Sequence, residues 1–285
     1  MNITRVRQER RLWKIYDSIY NFISIILTSP INIVFSGLGV SLFSFYIFDV
    51  PENWYLIISF CFVILSVYSL NLITDLEEDA VNKGYKNMEN KKSIILLISV
   101  VSYIAALIIG GIENLRSIPV LLIPFITGLL YSVKIKNFRL KNLFVGKNLT
   151  VSISWSLEVS LLPYLLKSSS VVFFLLIFVF IKGMINTILF DLRDVEGDAK
   201  AGVETIPVKL GKYRTLWLLF ILNTSLIPLI MTWKSMLPNL WIFVLIIIYG
   251  YAYILYFYLN QAPKLLYSIL VDDEWILWML LINFL

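Results

Sequence analysis

Long apolar runs separated by short polar breaks occupy most of the chain. Read between those breaks, the spans fall at 22–47, 54–74, 93–111, 117–133, 148–166, 170–190, 215–232, 239–260 and 274–285. Several approach the roughly 20 residues that a helix needs to cross a bilayer core. The ninth, Trp275 to Leu285, is too short to cross alone and is expected to be tilted or interfacial. Trp54, Trp217, Trp233, Trp241 and Trp275 lie near span ends, as an aromatic belt would have them. The pattern predicts an all-α polytopic membrane protein of about nine transmembrane helices, one integral-membrane domain over residues 1–285.

Composition agrees. Hydrophobic residues make up 59% of the 285 positions and charged residues 15%, against about 25% charged in a soluble domain. The first fourteen residues are basic and the first apolar run outlasts a signal-peptide core, so no cleavable leader is expected. Most of the 24 lysines and arginines fall on one side of the predicted spans: the N-terminal segment, 83–92, 134–147, 193–214 and Lys264. Arg116, Lys167 and Lys234 fall in the opposite loops, and Lys182 lies within a span. The positive-inside rule therefore puts the N-terminus and the long basic loops in the cytoplasm. With its basic residues spread over several loops, the net charge of +5 does not suggest nucleic acid.

The chain has no histidine. Histidine-dependent triads, haem ligation through histidine and the usual zinc sites are excluded. Metal chemistry would have to use carboxylates, which suit magnesium, manganese or calcium. The single cysteine, Cys61, cannot form an intramolecular disulfide and reads as a small membrane-facing or core residue.

Two aspartate-rich stretches stand at the ends of apolar runs, both on the predicted cytoplasmic side. In Asn71-Leu-Ile-Thr-Asp75-Leu-Glu-Glu-Asp79, residues Asn71, Asp75 and Asp79 are four apart and share one helical face. In Asp191-Leu-Arg-Asp194-Val-Glu-Gly-Asp198, residues Asp191, Asp194 and Asp198 follow i, i+3, i+7 and again share a face. So many carboxylates around one rim would repel one another unless bound divalent cations removed the conflict and bridged to phosphate oxygens. Isolated acids at span ends are usually solvated; two spaced stripes at equivalent topological positions argue for a site. One motif closes the second span and the other the sixth, which suggests two four-helix halves followed by a short final helix.

Other groups could join them. The loop from Tyr131 to Lys147 is basic and interleaved with aromatics, and its cations could grip diphosphate oxygens or anionic lipid. Glu158 and Lys182 lie deep in the fifth and sixth spans, about 13–17 Å from the cytoplasmic ends. Apart they would be costly, so they are expected to pair or to face a polar cavity.

These motifs resemble those of the UbiA superfamily of intramembrane prenyltransferases. NLITDLEED fits its N-x-x-x-D-x-x-x-D pattern and DLRDVEGD its D-x-x-D-x-x-x-D pattern. Gly202, Thr205, Pro207, Leu210 and Gly211 fit the G-x-x-T-x-P-x-x-L-G continuation. Tyr131-Ser132 and Arg139-Leu-Lys141 are similar to the basic segment after the fourth span, and Pro30 with Asn32 to the early Pro-x-Asn signature. The resemblance runs from about residue 28 to 215. It implies nine helices around a central cavity open to lipid, with magnesium held by the two motifs binding an allylic isoprenyl diphosphate. Ionisation to a carbocation would be followed by attack of an aromatic or lipid-precursor acceptor. Asp75, Asp79, Asp191 and Asp198 would organise the metals, with Asp194 supporting and Asn71 orienting the diphosphate. Arg139 and Lys141 would grip it, and Tyr131, followed by Ser132, would stand near the reacting end. Where the family often has Asn, Arg-Pro and a Gly after its first motif, Asn82-Lys83-Gly-Tyr-Lys86 follows here, and Lys83 or Lys86 supplies the cation. Ser29 stands where the family commonly has an arginine.

The expected partners are therefore an isoprenyl diphosphate, a small hydrophobic or lipid-like acceptor and membrane lipid. A cation-binding transporter or channel is the alternative, since it too places carboxylates in a membrane. Such proteins tend to bind at the midplane on broken helices, whereas both stripes here lie at the rim. A phosphotransferase acting on a nucleotide-activated alcohol would need D-G-x-x-A-R followed by G-x-x-x-D-x-x-x-D, a string absent from this chain.

Overall fold

The computed structural model describes residues 29–74, 92–132, 143–200 and 202–282. The helices are α1 (Pro30–Phe48), α2 (Trp54–Thr74), α3 (Lys92–Glu113), α4 (Ser117–Ser132), α5 (Gly146–Tyr164), α6 (Val171–Lys200), α7 (Ile206–Trp233) and α8 (Leu240–Leu259). The chain closes with a short α9 (Lys264–Tyr267), a π turn (Ser268–Asp272) and α10 (Glu274–Ile282). No strand occurs among the described residues. Local chemistry sets the ends: Ser29 caps α1 by accepting from the Ile31 amide at 3.3 Å, with Pro30 in the first turn.

Among the described residues, α1, α2, α3, α6, α7 and α8 are long and apolar enough to cross a membrane. α4 is apolar but shorter, and α5 is interrupted by serines and Glu158. On α3, Ile94, Leu97, Val101, Ile104 and Ile108 form one exposed apolar stripe. A continuous face of that kind requires lipid rather than water. The opposite face carries small residues, Ser99, Ser102, Ala106 and Gly110, so α3 can lie close against α2. There Ser99 donates to the Ser66 carbonyl at 2.9 Å.

The core is aromatic where α1, α6, α8 and α10 meet. Phe43 lies 6.1 Å from Phe178 and 5.3 Å from Trp275, centroid to centroid, and Phe178 meets Phe243 edge-on at 5.5 Å. Trp275 is therefore buried core rather than part of an interfacial belt. Trp54, Trp217 and Trp241 are exposed, as a belt requires.

α6 governs the site. Its 30 residues extend for about 45 Å, more than the roughly 30 Å of a bilayer core. The helix thus continues past the span expected at 170–190 and carries the second acidic motif on its final turns. The Val203 amide closes its end on the Asp198 carbonyl at 2.9 Å. Gly202 (φ 70°) and Gly211 (φ 76°, ψ 161°) then bracket the first turn of α7, which is kinked at Gly211. Both conformations belong to glycine, and together they account for the two glycines of the continuation after the motif.

Candidate active site

Each aspartate of the second motif meets a different environment. Asp191 is fully buried and points at the start of α5. Lys147 Nζ donates to its Oδ1 at 2.7 Å and Asn148 Nδ2 to its Oδ2 at 2.8 Å. Asp194 is part-exposed and clasped by its neighbour Arg193, whose Nε and Nη2 donate at 2.7 and 2.5 Å. Arg193 is itself packed over Phe190 and Tyr267, 4.8 and 5.4 Å from the ring centroids. Asp198 has a buried Oδ2 with no hydrogen-bond partner. Asp191 and Asp198 share the field of Lys147, which also reaches Tyr131. The spacing i, i+3, i+7 does put the three on one helix, but their roles divide: one anchored, one holding an arginine, one with a free oxygen.

Of the other expected site residues, Asn71 and Tyr131 are brought together at one cavity between α2, α4 and α5. This cleft holds about 630 Å³ and is mostly apolar, with Phe60, Ile64 and Val67 among its walls and Glu158 along its lining. Asp75, Asp79, Lys83, Lys86, Arg139, Lys141 and the side chain of Ser132 lie outside the described residues. Asn71 stands one turn from the described end of α2, so the first motif begins on the last described turn of that helix.

A second cavity, of about 560 Å³, lies between α1, α6 and the π turn. The two share Tyr68, Val151 and Trp155. Trp155 Nε1 donates to the Tyr68 hydroxyl at 3.2 Å, so this pair forms the partition.

Of the two expectations for Glu158 and Lys182, pairing does not occur; each instead lines a cavity, Glu158 the first and Lys182 the second. Lys182 donates to Glu274 Oε2 and to the Tyr253 hydroxyl, both at 2.8 Å. Glu158 instead lines the first cavity, 1% exposed, with Oε1 unpartnered. The two residues occupy neighbouring helices at similar depth but different faces, and the lysine finds its carboxylate on α10. Lys147 belongs to the basic loop expected to grip diphosphate, whereas Asn148 and Asp272 were not singled out from the sequence. Asp272, on the π turn, accepts from Asn186 Nδ2 at 3.0 Å. Their only sequence signal was polarity next to an apolar run.

Among the described residues, no group of three or more metal-ligating side chains converges to hold an ion. Asp198 nevertheless fits a hard cation, because its carboxylate presents a buried oxygen without a hydrogen-bond partner and hard cations take oxygen ligands. A full shell would need oxygens from outside the second motif.

The sequence pattern of the UbiA prenyltransferase family matches residues 29–271. A digeranylgeranylglyceryl phosphate synthase from Methanosphaera stadtmanae is 26% identical over 200 residues, covering 68% of this chain and 71% of that protein. The fold is shared with a UbiA homologue from Archaeoglobus fulgidus bound to GPP and Mg2+, with a TM-score of 0.66 at 17% identity over 91% of this chain and 98% of that one. It is shared also with the apo UbiA homologue from Aeropyrum pernix K1, with a TM-score of 0.66 at 14% identity over 88% and 98%. With the matched segment extending from the cap of α1 to the π turn, this multi-pass membrane protein belongs to the UbiA prenyltransferase family.

Proposed function

We propose that the chain transfers an isoprenyl group from an allylic isoprenyl diphosphate to a small hydrophobic or lipid-like acceptor, in a magnesium-dependent reaction. The observation that carries this is the second acidic motif on the last turns of α6, linked through Lys147 to Tyr131 at the apolar cavity that Asn71 also borders. The Archaeoglobus fulgidus homologue of the same fold is bound to GPP and Mg2+, and the Methanosphaera stadtmanae relative is named for a glyceryl phosphate product, which favours a lipid-precursor acceptor.

On this reading Asp75, Asp79, Asp191 and Asp198 hold the magnesium. Bound there, the ions stabilise the negative charge that develops on the departing diphosphate. Asp191 can contribute because each of its oxygens has spare lone-pair capacity beside its one hydrogen bond. Lys147, with its side chain 32% exposed, grips the diphosphate together with Arg139, Lys141, Lys83 and Lys86. Asp194 supports by fixing Arg193. Asn71 orients the diphosphate, and Tyr131 with Ser132 stands by the reacting carbon. The apolar walls from Phe60 to Val67 receive the tail and keep water from the allylic cation.

The site faces the cytoplasm by the positive-inside pattern, within a single domain of nine membrane helices built as two four-helix halves and a final short element, its cavity opening to lipid. Membranes containing the protein, incubated with a labelled isoprenyl diphosphate, magnesium and candidate acceptors, should yield a prenylated product identifiable by mass. Cation flux with no such product would favour a transporter instead.

A further inference from the structure

The second cavity is not absorbed by the donor site. Its polar wall is built from five elements: Ser36 on α1, Tyr68 on α2, Lys182 and Asn186 on α6, Asp272 on the π turn and Glu274 at the start of α10. Lys182 is already satisfied by Glu274 and Tyr253. Asp272 uses Oδ1 for Asn186 and keeps its second oxygen for the cavity. The wall therefore carries more carboxylate than free cation, and it disfavours an anionic group while offering acceptors to a donor.

Ser36 ties this wall to the segment that carries Asp272, donating to Asp273 Oδ1 at 2.9 Å. Lys182, 2% exposed and donating to Glu274 at 2.8 Å, closes the opposite side, so the polar side chains of the wall are fixed in place.

The placement relative to the donor site matters most. Thr187, on the cavity wall, is one helical turn below Asp191, and Tyr68 is one turn below Asn71. Tyr68 also lies within electrostatic reach of both Tyr131 and Asp272. The two cavities thus converge on the Tyr68–Trp155 partition just beneath the rim.

We infer that the cavity between α1, α6 and the π turn seats the hydroxyl end of an alcohol acceptor, with Asp272 as the group that takes its proton. This rests on the prenyltransferase reading and deepens it. In the step, the C1–O bond of the isoprenyl diphosphate breaks and its electron pair leaves with the diphosphate. The acceptor oxygen forms the new C1–O ether bond, and its proton passes to the Asp272 carboxylate, leaving a neutral acid. An anionic headgroup of the acceptor remains outside this wall.

The test uses the full chain in lipid nanodiscs with geranyl diphosphate and magnesium, offering a long-chain glycerol monoether or, separately, an aromatic acid. Wild type should prenylate the glycerol monoether. Asp272→Asn should lower kcat by about 100-fold or more, the range of a lost proton acceptor, with its dissociation constant for geranyl diphosphate within twofold of wild type. Asp272→Glu should recover part of the rate. Val179→Phe, which enlarges an apolar residue of the cavity wall, should raise KM for the glycerol monoether and leave donor affinity alone. Transfer by Asp272→Asn at the wild-type rate, or transfer to the aromatic acid alone, would overturn the alcohol seat and leave the prenyltransferase reading standing. Wild type that neither binds geranyl diphosphate nor transfers it would overturn both.

Discussion

Lys182 donates to Glu274 across 2.8 Å inside the bundle, joining α6 to the final helix with both side chains almost fully buried. The pair replaces the Glu158 contact expected for this lysine, and it anchors the π turn that carries Asp272. Breaking it from one side leaves an uncompensated charge in a low-dielectric interior. Lys182→Met or Glu274→Gln should each destabilise the protein by about 3–5 kcal/mol. The double variant Lys182→Met/Glu274→Leu should lose less than the two losses added together. Unfolding midpoints in detergent measure this, and strictly additive losses would mean that the pair is not coupled.

Lys147 and Asn148 hold the buried Asp191 from the first turn of α5, and only Lys147 has exposed surface with which to reach a substrate. Lys147→Met removes one charge-assisted bond, worth about 1.5–3 kcal/mol, so affinity for geranyl diphosphate should fall about tenfold or more. Titration calorimetry reads this directly. Unchanged affinity would confine Lys147 to a structural role.

Two glycines near the motif should respond with opposite signs. Gly211 has φ 76° and ψ 161°, a region almost closed to other residues, and Gly211→Val should cost about 1–3 kcal/mol. Gly197 sits within α6, and a Cβ there would meet nothing within 4 Å. Gly197→Ala should therefore stabilise by roughly 0.5–1 kcal/mol. Equal effects in thermal unfolding would contradict the backbone assignment.

Much of this was legible in the linear pattern. The run at 54–74 coincides with α2, and the positions of Asp191, Asp194 and Asp198 already implied a shared helix. What the pattern could not supply was pairing between distant elements. Lys147 read as one of several loop cations able to grip diphosphate or anionic lipid, and its contact with Asp191, 44 residues away, was beyond any local pattern. Asp272 precedes the short ninth run and Glu274 begins it, and nothing in the linear pattern singled either acid out. They are drawn inside because α10 packs on α1 and brings Trp275 against Phe43. Trp275 was assigned to the interface for the same reason: position along a span fixes depth, not the face that meets the bundle. Helix period and charge are local properties, whereas burial of a particular side chain depends on which helices become neighbours.

The most direct measurement is transfer of labelled geranyl diphosphate by wild type, Asp75→Ala and Asp198→Ala, each with magnesium and with excess EDTA. Wild type should transfer with magnesium, stop in EDTA and recover when magnesium is restored. Both variants should remain monodisperse in the membrane and transfer nothing. Full transfer by both variants, or undiminished transfer by wild type in EDTA, would contradict a magnesium diphosphate held between the two acidic motifs.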